Sequence, residues 1–343
     1  MATATAALHR IRGSSLIDAI GLLLLAVVVL WLVVKFVEDP TRFVNVGIIG
    51  ATNGAIYGLI ALGYTLVYGI LQLINFAHGD VFALSGLVAS TMIISVFGLD
   101  ESTAVLMIVL GLLGTLAVTI PLFAIVNATI ERIAYKPLRN APRLAPLITA
   151  VGMSFIVSNI SLALYGVDFE SVPNFIPRTD AITLGGITIQ WNKIGVFLIV
   201  IPVLVVLTWF VRSTRQGKAM RAVAQDTEAA AMMGINVNRT ISVTFFLAGG
   251  LAAVAGLVYL LQFNIRYDTG LELGLVAFTA AVLGGIGNLS GAVLGGLLLG
   301  LIQAYTDGFI DARWTKTVIF SILILILVFR PSGLLGEQTP EGQ

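Results

Sequence analysis

The sequence predicts an all-α fold, a polytopic transmembrane helical bundle of about eight to ten spans. Three observations carry that expectation. Mean hydropathy is +1.00 over 343 residues, with 58% hydrophobic and only 11% charged, more apolar sequence than a water-soluble core can bury. The apolar runs are long and continuous, not alternations of roughly ten residues, which selects helices over a membrane barrel. No polar stretch exceeds a loop, so residues 1–343 read as a single transmembrane domain. The chain has no Cys and two His, which excludes disulfides and thiolate metal sites and argues against a multi-histidine centre.

Taken in order, Arg10 and Arg12 precede an apolar run from Ile17 to Val37. A charged start before an apolar run opens a secretory signal. This run is longer than such a signal's apolar region and no small-residue cleavage site follows, so 17–37 is expected to remain as a first span. Further spans are expected near 44–66, 80–98, 104–130, 145–166, 194–211, 241–263 and 317–329. The segment 274–305 differs, because Gly-Gly-Ile-Gly-Asn-Leu-Ser-Gly at 284–291 divides it into halves of about 20 Å each at 1.5 Å per residue. Both halves would be short for a ~30 Å hydrocarbon core, as in a hairpin of short helices. A second Gly-rich, polar-interrupted stretch around 63–86 pairs with 276–300 as the pattern expected of inverted repeats with broken helices at their interface. Gly50, Gly54 and Gly58, and again Gly287, Gly291 and Gly295, recur at a spacing that lets helix backbones approach.

Charge orients the bundle. Arg132, Lys136, Arg139 and Arg143, with five of the chain's nineteen Lys and Arg between 212 and 240, mark those segments as cytoplasmic, with the N-terminus on the same side. The loop 167–193 then lies outside and carries Asp168, Glu170 and Asp180, a surface able to receive an external partner. Within the cytoplasmic loop 212–240, Asp226 and Thr227 suit an N-cap, Glu228 suits the positive helix start, and Gly234 stops a short Ala- and Met-rich helix. So little apolar surface cannot bury itself. The segment is either a docking surface for another protein or an ordinary solvated loop.

Polar residues in apolar sequence supply the candidate pathway. Asn75, His78 and Asp80 interrupt Leu71–Gly86. His78 and Asp80 read as a turn at a span boundary, with Asp80 capping the next helix, while Asn75 stays open. Asn53 and Tyr57 lie one turn apart, as do Ser154 and Ser158 with Asn159 beside them. Each set suits a small polar solute or, more commonly, hydrogen bonding between helices. Asn288 and Ser290 fall in the break, where unwound backbone needs a cavity or protein around it. A phosphate-binding G-x-x-x-x-G-K-[ST] loop is missing, as are G-x-S-x-G, H-E-x-x-H, a run of intramembrane Arg and a potassium-filter sequence. An enzyme built on His78 and Asp80 would lack a nucleophile or metal set. A self-contained channel or secondary transporter would lack coupling carboxylates or a filter.

Several separated stretches resemble one family. GAIYGLIALGYTLVYGILQLINFAHGDVFALSG (54–86), ERIAYKPLR (131–139), GKAMRAVAQDTEAAAMMGIN (217–236), AFTAAVLGGIGNLSGAVLGGLLLG (277–300) and RPSGLLG (330–336) are similar, in order, to permease subunits of branched-chain amino acid ABC importers, of the H-type rather than the M-type. The resemblance runs from about residue 44 to 336, so 17–37 stands before it as an extra N-terminal span. It implies a bacterial inner-membrane, multi-pass transport subunit without enzymatic activity or cofactor. Its implied partners are a second, Liv-M-like permease, two ATP-binding cassette subunits, a periplasmic substrate-binding protein and membrane lipid, with no nucleic acid. The solute would be a branched-chain or other neutral amino acid, with urea or a short amide as the alternative. Asp226, Glu228, Ala229, Ala230 and Gly234 would form the helix that couples to the ATPases.

Overall fold

A computed structural model describes residues 21, 23, 26–139, 141–142, 144–176, 179–330 and 332–336. The expected first span 17–37 and the basic residue Arg143 therefore fall partly or wholly outside the described residues. Within them, 26–38 form a helix, α1. Asp39 ends it in a non-helical conformation and caps the next helix, accepting from the Arg42 amide at 2.9 Å just ahead of Pro40 in the first turn.

That next helix, α2 (Pro40–Leu71), runs 32 residues. The chain breaks over 72–76 and resumes as α3 (Ala77–Thr91), whose last turn widens into a π-turn, Met92–Val96. α4 (Val105–Ile130) ends in a second π-turn, Glu131–Tyr135, and a 3₁₀ turn, Lys136–Leu138, begun around Pro137. α5 (Leu144–Tyr165) follows. The loop after it holds the only strands among the described residues, the antiparallel hairpin β1 (Asp180–Leu184) and β2 (Ile187–Gln190). Then come α6 (Trp191–Ser213), the short α7 (Arg215–Gln225) and α8 (Thr227–Met232), and α9 (Val237–Leu260). α10 (Thr269–Gly284), α11 (Leu289–Phe309) and α12 (Thr315–Phe329) complete the bundle. Eight of the described helical segments are long and apolar enough to cross a membrane. The seven expected spans from 44–66 to 317–329 match them to within a few residues, the exceptions being the divided segment and 17–37, which lies partly outside the described residues. Its second half is α11, 21 residues and long enough to span, whereas the first, α10, has 16.

α2 and α11 pack antiparallel along their lengths, with Tyr305 of α11 beside Gly47 and Val293 beside Gly58. Gly50, Gly54 and Gly58 supply the α2 side as expected. The α11 side is Gly296 and Gly300, while Gly291 and Gly295 face α10 instead. The two interruptions of the chain meet, Gly69 near the end of α2 lying against Gly287 of the α10–α11 turn. α9 crosses α3 at Ser85, whose hydroxyl donates to the Ala252 carbonyl at 3.0 Å. α4, α5, α6 and α12 surround this centre with largely exposed apolar faces.

Candidate functional site

The bundle's ends differ in charge. One holds Arg132, Lys136 and Arg139 after α4 and Arg212, Arg215, Lys218, Arg221 and Arg239 around α7 and α8. The other holds most of the acidic loop residues, including Asp100, Glu101, Asp168, Glu170 and Asp311. At the acidic end Glu170 and Ile265 exchange backbone hydrogen bonds of 2.8 and 2.9 Å, tying the loop after α5 to the loop after α9. Arg266 there stacks 4.6 Å from the Phe169 ring centre and pairs with Asp268, which lowers the Asp268 carboxyl below its ordinary range.

At the basic end four caps fix the segment between α6 and α9. Thr214 accepts from the Gly217 amide (3.0 Å), and α7 turns Gly217, Met220 and Val223 inward. Asp226 then accepts from the amides of Glu228 and Ala229, both 2.9 Å, to start α8. Gly234 reverses the chain at φ 82°, a left-handed conformation that costs an L side chain strain, and lets Ile235 donate to the Ala230 carbonyl at 3.0 Å. Asn236 caps α9 through the Arg239 amide (3.0 Å). This rigid frame anchors Ala230, which is buried, and half-covers Ala229. It turns Glu228, Met232 and Met233 outward, the two Met 82% exposed. Adjacent exposed methionines on so polar a segment form an adaptable apolar surface.

A second group of polar residues lies inside the bundle. Asn75, His78 and Asp80 are all at most 2% exposed. This corrects the expectation that His78 and Asp80 form a boundary turn. α3 begins at Ala77 behind Phe76, so Asp80 sits within the first turn and caps nothing. Buried there, it faces the positive end of the helix dipole and accepts a hydrogen bond from Ser154 of α5. The His78 ring meets Tyr64 edge-on with centres 4.9 Å apart, and Asn75 accepts from the Tyr135 hydroxyl at 2.8 Å.

The other expected pathway residues lie elsewhere. Tyr57 donates to Gln303 across α2 and α11, one turn from the half-buried Asn53. Ser158 approaches the Tyr267 carbonyl at 3.4 Å, and Asn159 bonds back to Phe155. Asn288 caps α11 by accepting from the Gly291 amide (3.1 Å) and donates to the Leu335 carbonyl (2.8 Å), so it also holds the segment after α12. Ser290 is exposed beside Arg212 at the basic end. The candidates thus divide among the α2–α11 seam, the α3–α5 layer and the α10–α11 turn.

A helical bundle of eight apolar spans among the described residues, with polar groups buried between them and a capped, exposed segment at its basic end, defines a multi-pass membrane protein. The family described as "Branched-chain amino acid transport system / permease component" matches residues 48–328. The high-affinity branched-chain amino acid transport system permease protein BraD of Pseudomonas aeruginosa is 38% identical over 85% of this chain and 95% of its own length. LivH of Escherichia coli K12, described in the same words, is 36% identical over the same shares. The chain belongs to this permease family.

Proposed function

We propose that this chain is one of two permease subunits of an ABC importer for branched-chain or other neutral amino acids in a bacterial inner membrane. Its basic end faces the cytoplasm, where α8 docks in a cleft of an ATP-binding cassette subunit. Its acidic end receives a periplasmic binding protein. The observation that carries the reading is α8 itself, six residues capped at both ends with two outward methionines, in a family of transport permeases. A helix held this firmly transmits displacement instead of absorbing it. Asp226 supplies the cap, Ala230 and Ala229 the close seat, Gly234 the reversal and Glu228 a charge at the docking edge. Asn53, Tyr57, Asn75, Ser154, Asn288 and Ser290 remain the proposed pathway groups, with Asp80 joining Ser154.

The test is ATP hydrolysis in proteoliposomes holding this chain, the second permease and the ATPases, with and without loaded binding protein. Met232→Lys with Met233→Lys removes the exposed apolar pair while keeping every side-chain cap and buried contact, since Met233 caps α8 only through its backbone N–H and cations suit a helix C-terminus. Stimulation by loaded binding protein in the wild type, lost by at least about tenfold in this variant at unchanged membrane abundance, is expected if a few exposed apolar residues dominate the docking energy. Flux through the chain alone, indifferent to ATP, would replace the importer with a channel.

A further inference from the structure

The stretch 131–139 stands out in the sequence, and neither the docking helix nor the buried layer accounts for it. Glu131 is fully buried where α4 gives way to its π-turn. It forms an ion pair with Arg139, eight residues on, and accepts from the Ser242 hydroxyl of α9 at 2.6 Å. Arg139 also donates to Asn238 of α9. One turn along, Tyr135 turns inward to Asn75 at 2.8 Å, in the break between α2 and α3. The end of α4 therefore holds two separate neighbours: the first two turns of α9 and the break just before α3.

The position of α9 gives this arrangement its meaning. Its first residue, Val237, follows α8 by only a few residues, and those are fixed by the Ile235–Ala230 and Asn236–Arg239 hydrogen bonds. Displacement of α8 must therefore carry the N-terminus of α9 with it. Glu131 and Arg139 hold each other within the segment that ends α4, and each also reaches α9, Glu131 through the Ser242 hydroxyl and Arg139 through Asn238. A fully buried carboxylate gives up such partners only at a large desolvation cost, so the widened turn follows the first two turns of α9. Tyr135 carries the same displacement to Asn75, and α3 begins two residues beyond Asn75 with His78 and Asp80 in its first turn.

We infer that Glu131 and Arg139 are a positioning pair that latches the widened end of α4 to the first turns of α9 and conveys movement of the docking helix to the buried polar turn of α3. The inference rests on the importer reading. With the latch intact, ATP-driven movement of α8 reorients α3. With it broken, the widened turn and Tyr135 no longer follow the first turns of α9, the break before α3 keeps its position, and hydrolysis proceeds without solute movement.

The experiment compares wild type, Glu131→Gln, Arg139→Gln and Arg139→Lys in proteoliposomes with the partner subunits and loaded binding protein. Leucine uptake and ATP hydrolysis are measured on the same vesicles, and thermal unfolding in detergent measures the folded fraction. Glu131→Gln and Arg139→Gln are expected to raise ATP consumed per leucine imported by about tenfold, within the usual range of coupling between sites, with hydrolysis itself maintained. Arg139→Lys keeps the charge but loses the forked geometry, so it retains part of the coupling. Variants that keep the wild-type ratio, or whose uptake and hydrolysis fall together with the folded fraction, overturn the latch alone. A wild-type assembly whose hydrolysis ignores solute overturns the importer reading and the latch with it.

Discussion

α2 and α6 show how differently two spans of one bundle are built. The best membrane window of α2 has a mean hydropathy of 1.7 and is 78% buried inside the protein, whereas that of α6 reaches 2.9 with 22% buried. In a water-soluble protein the more apolar helix would be the inner one. Here the order is inverted, because lipid satisfies Leu, Ile and Val as well as protein does and gives them no reason to turn inward. Helices come to the centre when small residues let backbones meet and when polar groups need partners. Hydropathy marks the shell, and glycine, serine and threonine mark the centre.

The largest test of that contrast is at Gly300. A Cβ there would collide with the backbone of Gly54 and Gly50, which cannot step aside as a flexible side chain could. Gly300→Ala is expected to cost about 3 kcal/mol and to reduce folded protein in the membrane by more than about tenfold. Gly58→Ala is the matched control, since its Cβ would sit 3.6 Å from the Val293 Cα in ordinary contact. Fluorescence-detected size exclusion of the two variants reads the difference, and equal profiles would mean that close approach does not hold α2 to α11.

Next in size is the buried pair of α3 and α5. Ser154→Ala leaves the Asp80 carboxyl buried without its donor, a loss of about 2 kcal/mol, while Asp80→Asn keeps a polar partner for Ser154 and costs about 1 kcal/mol. Detergent thermal melts should rank Ser154→Ala below Asp80→Asn. The opposite order would show that Asp80 finds another donor.

What the sequence disclosed follows the same division. Long apolar runs located the spans because length and hydropathy are local properties, and the caps at Asp226 and Gly234 were legible because capping is decided within a few residues. His78 and Asp80 were misplaced because a His-Gly-Asp turn looks alike at a surface and in a helix buried by α5 and α9. Which glycines of α11 face α2 depends on its rotation against α10, which the repeat at 287, 291 and 295 does not encode. The hairpin was missed although Ile182-Thr183-Leu184, Gly185-Gly186 and Ile187-Thr188-Ile189 carry alternation around a turn signal. α7 was missed too. Its inward face is only Gly217, Met220 and Val223, too little to stand out amid the surrounding basic residues.

The smallest expected effect is the most discriminating. Leu198 on α6 is 74% exposed and Leu299 on α11 is fully buried, so one substitution can be read in both settings. Leu299→Ala opens a gap beside the α2–α11 seam that neighbouring backbone cannot close. Lost packing should cost about 2 kcal/mol, toward the low end for Leu→Ala because part of the usual water-transfer penalty is absent in lipid. Leu198→Ala removes the same atoms from a surface where acyl chains can follow the new shape, so its cost should stay within about 0.5 kcal/mol. Melting temperatures in lipid nanodiscs measure both. A Leu198→Ala variant as damaged as Leu299→Ala would show that this face of α6 is covered by protein, making it the seat of the second permease instead of lipid.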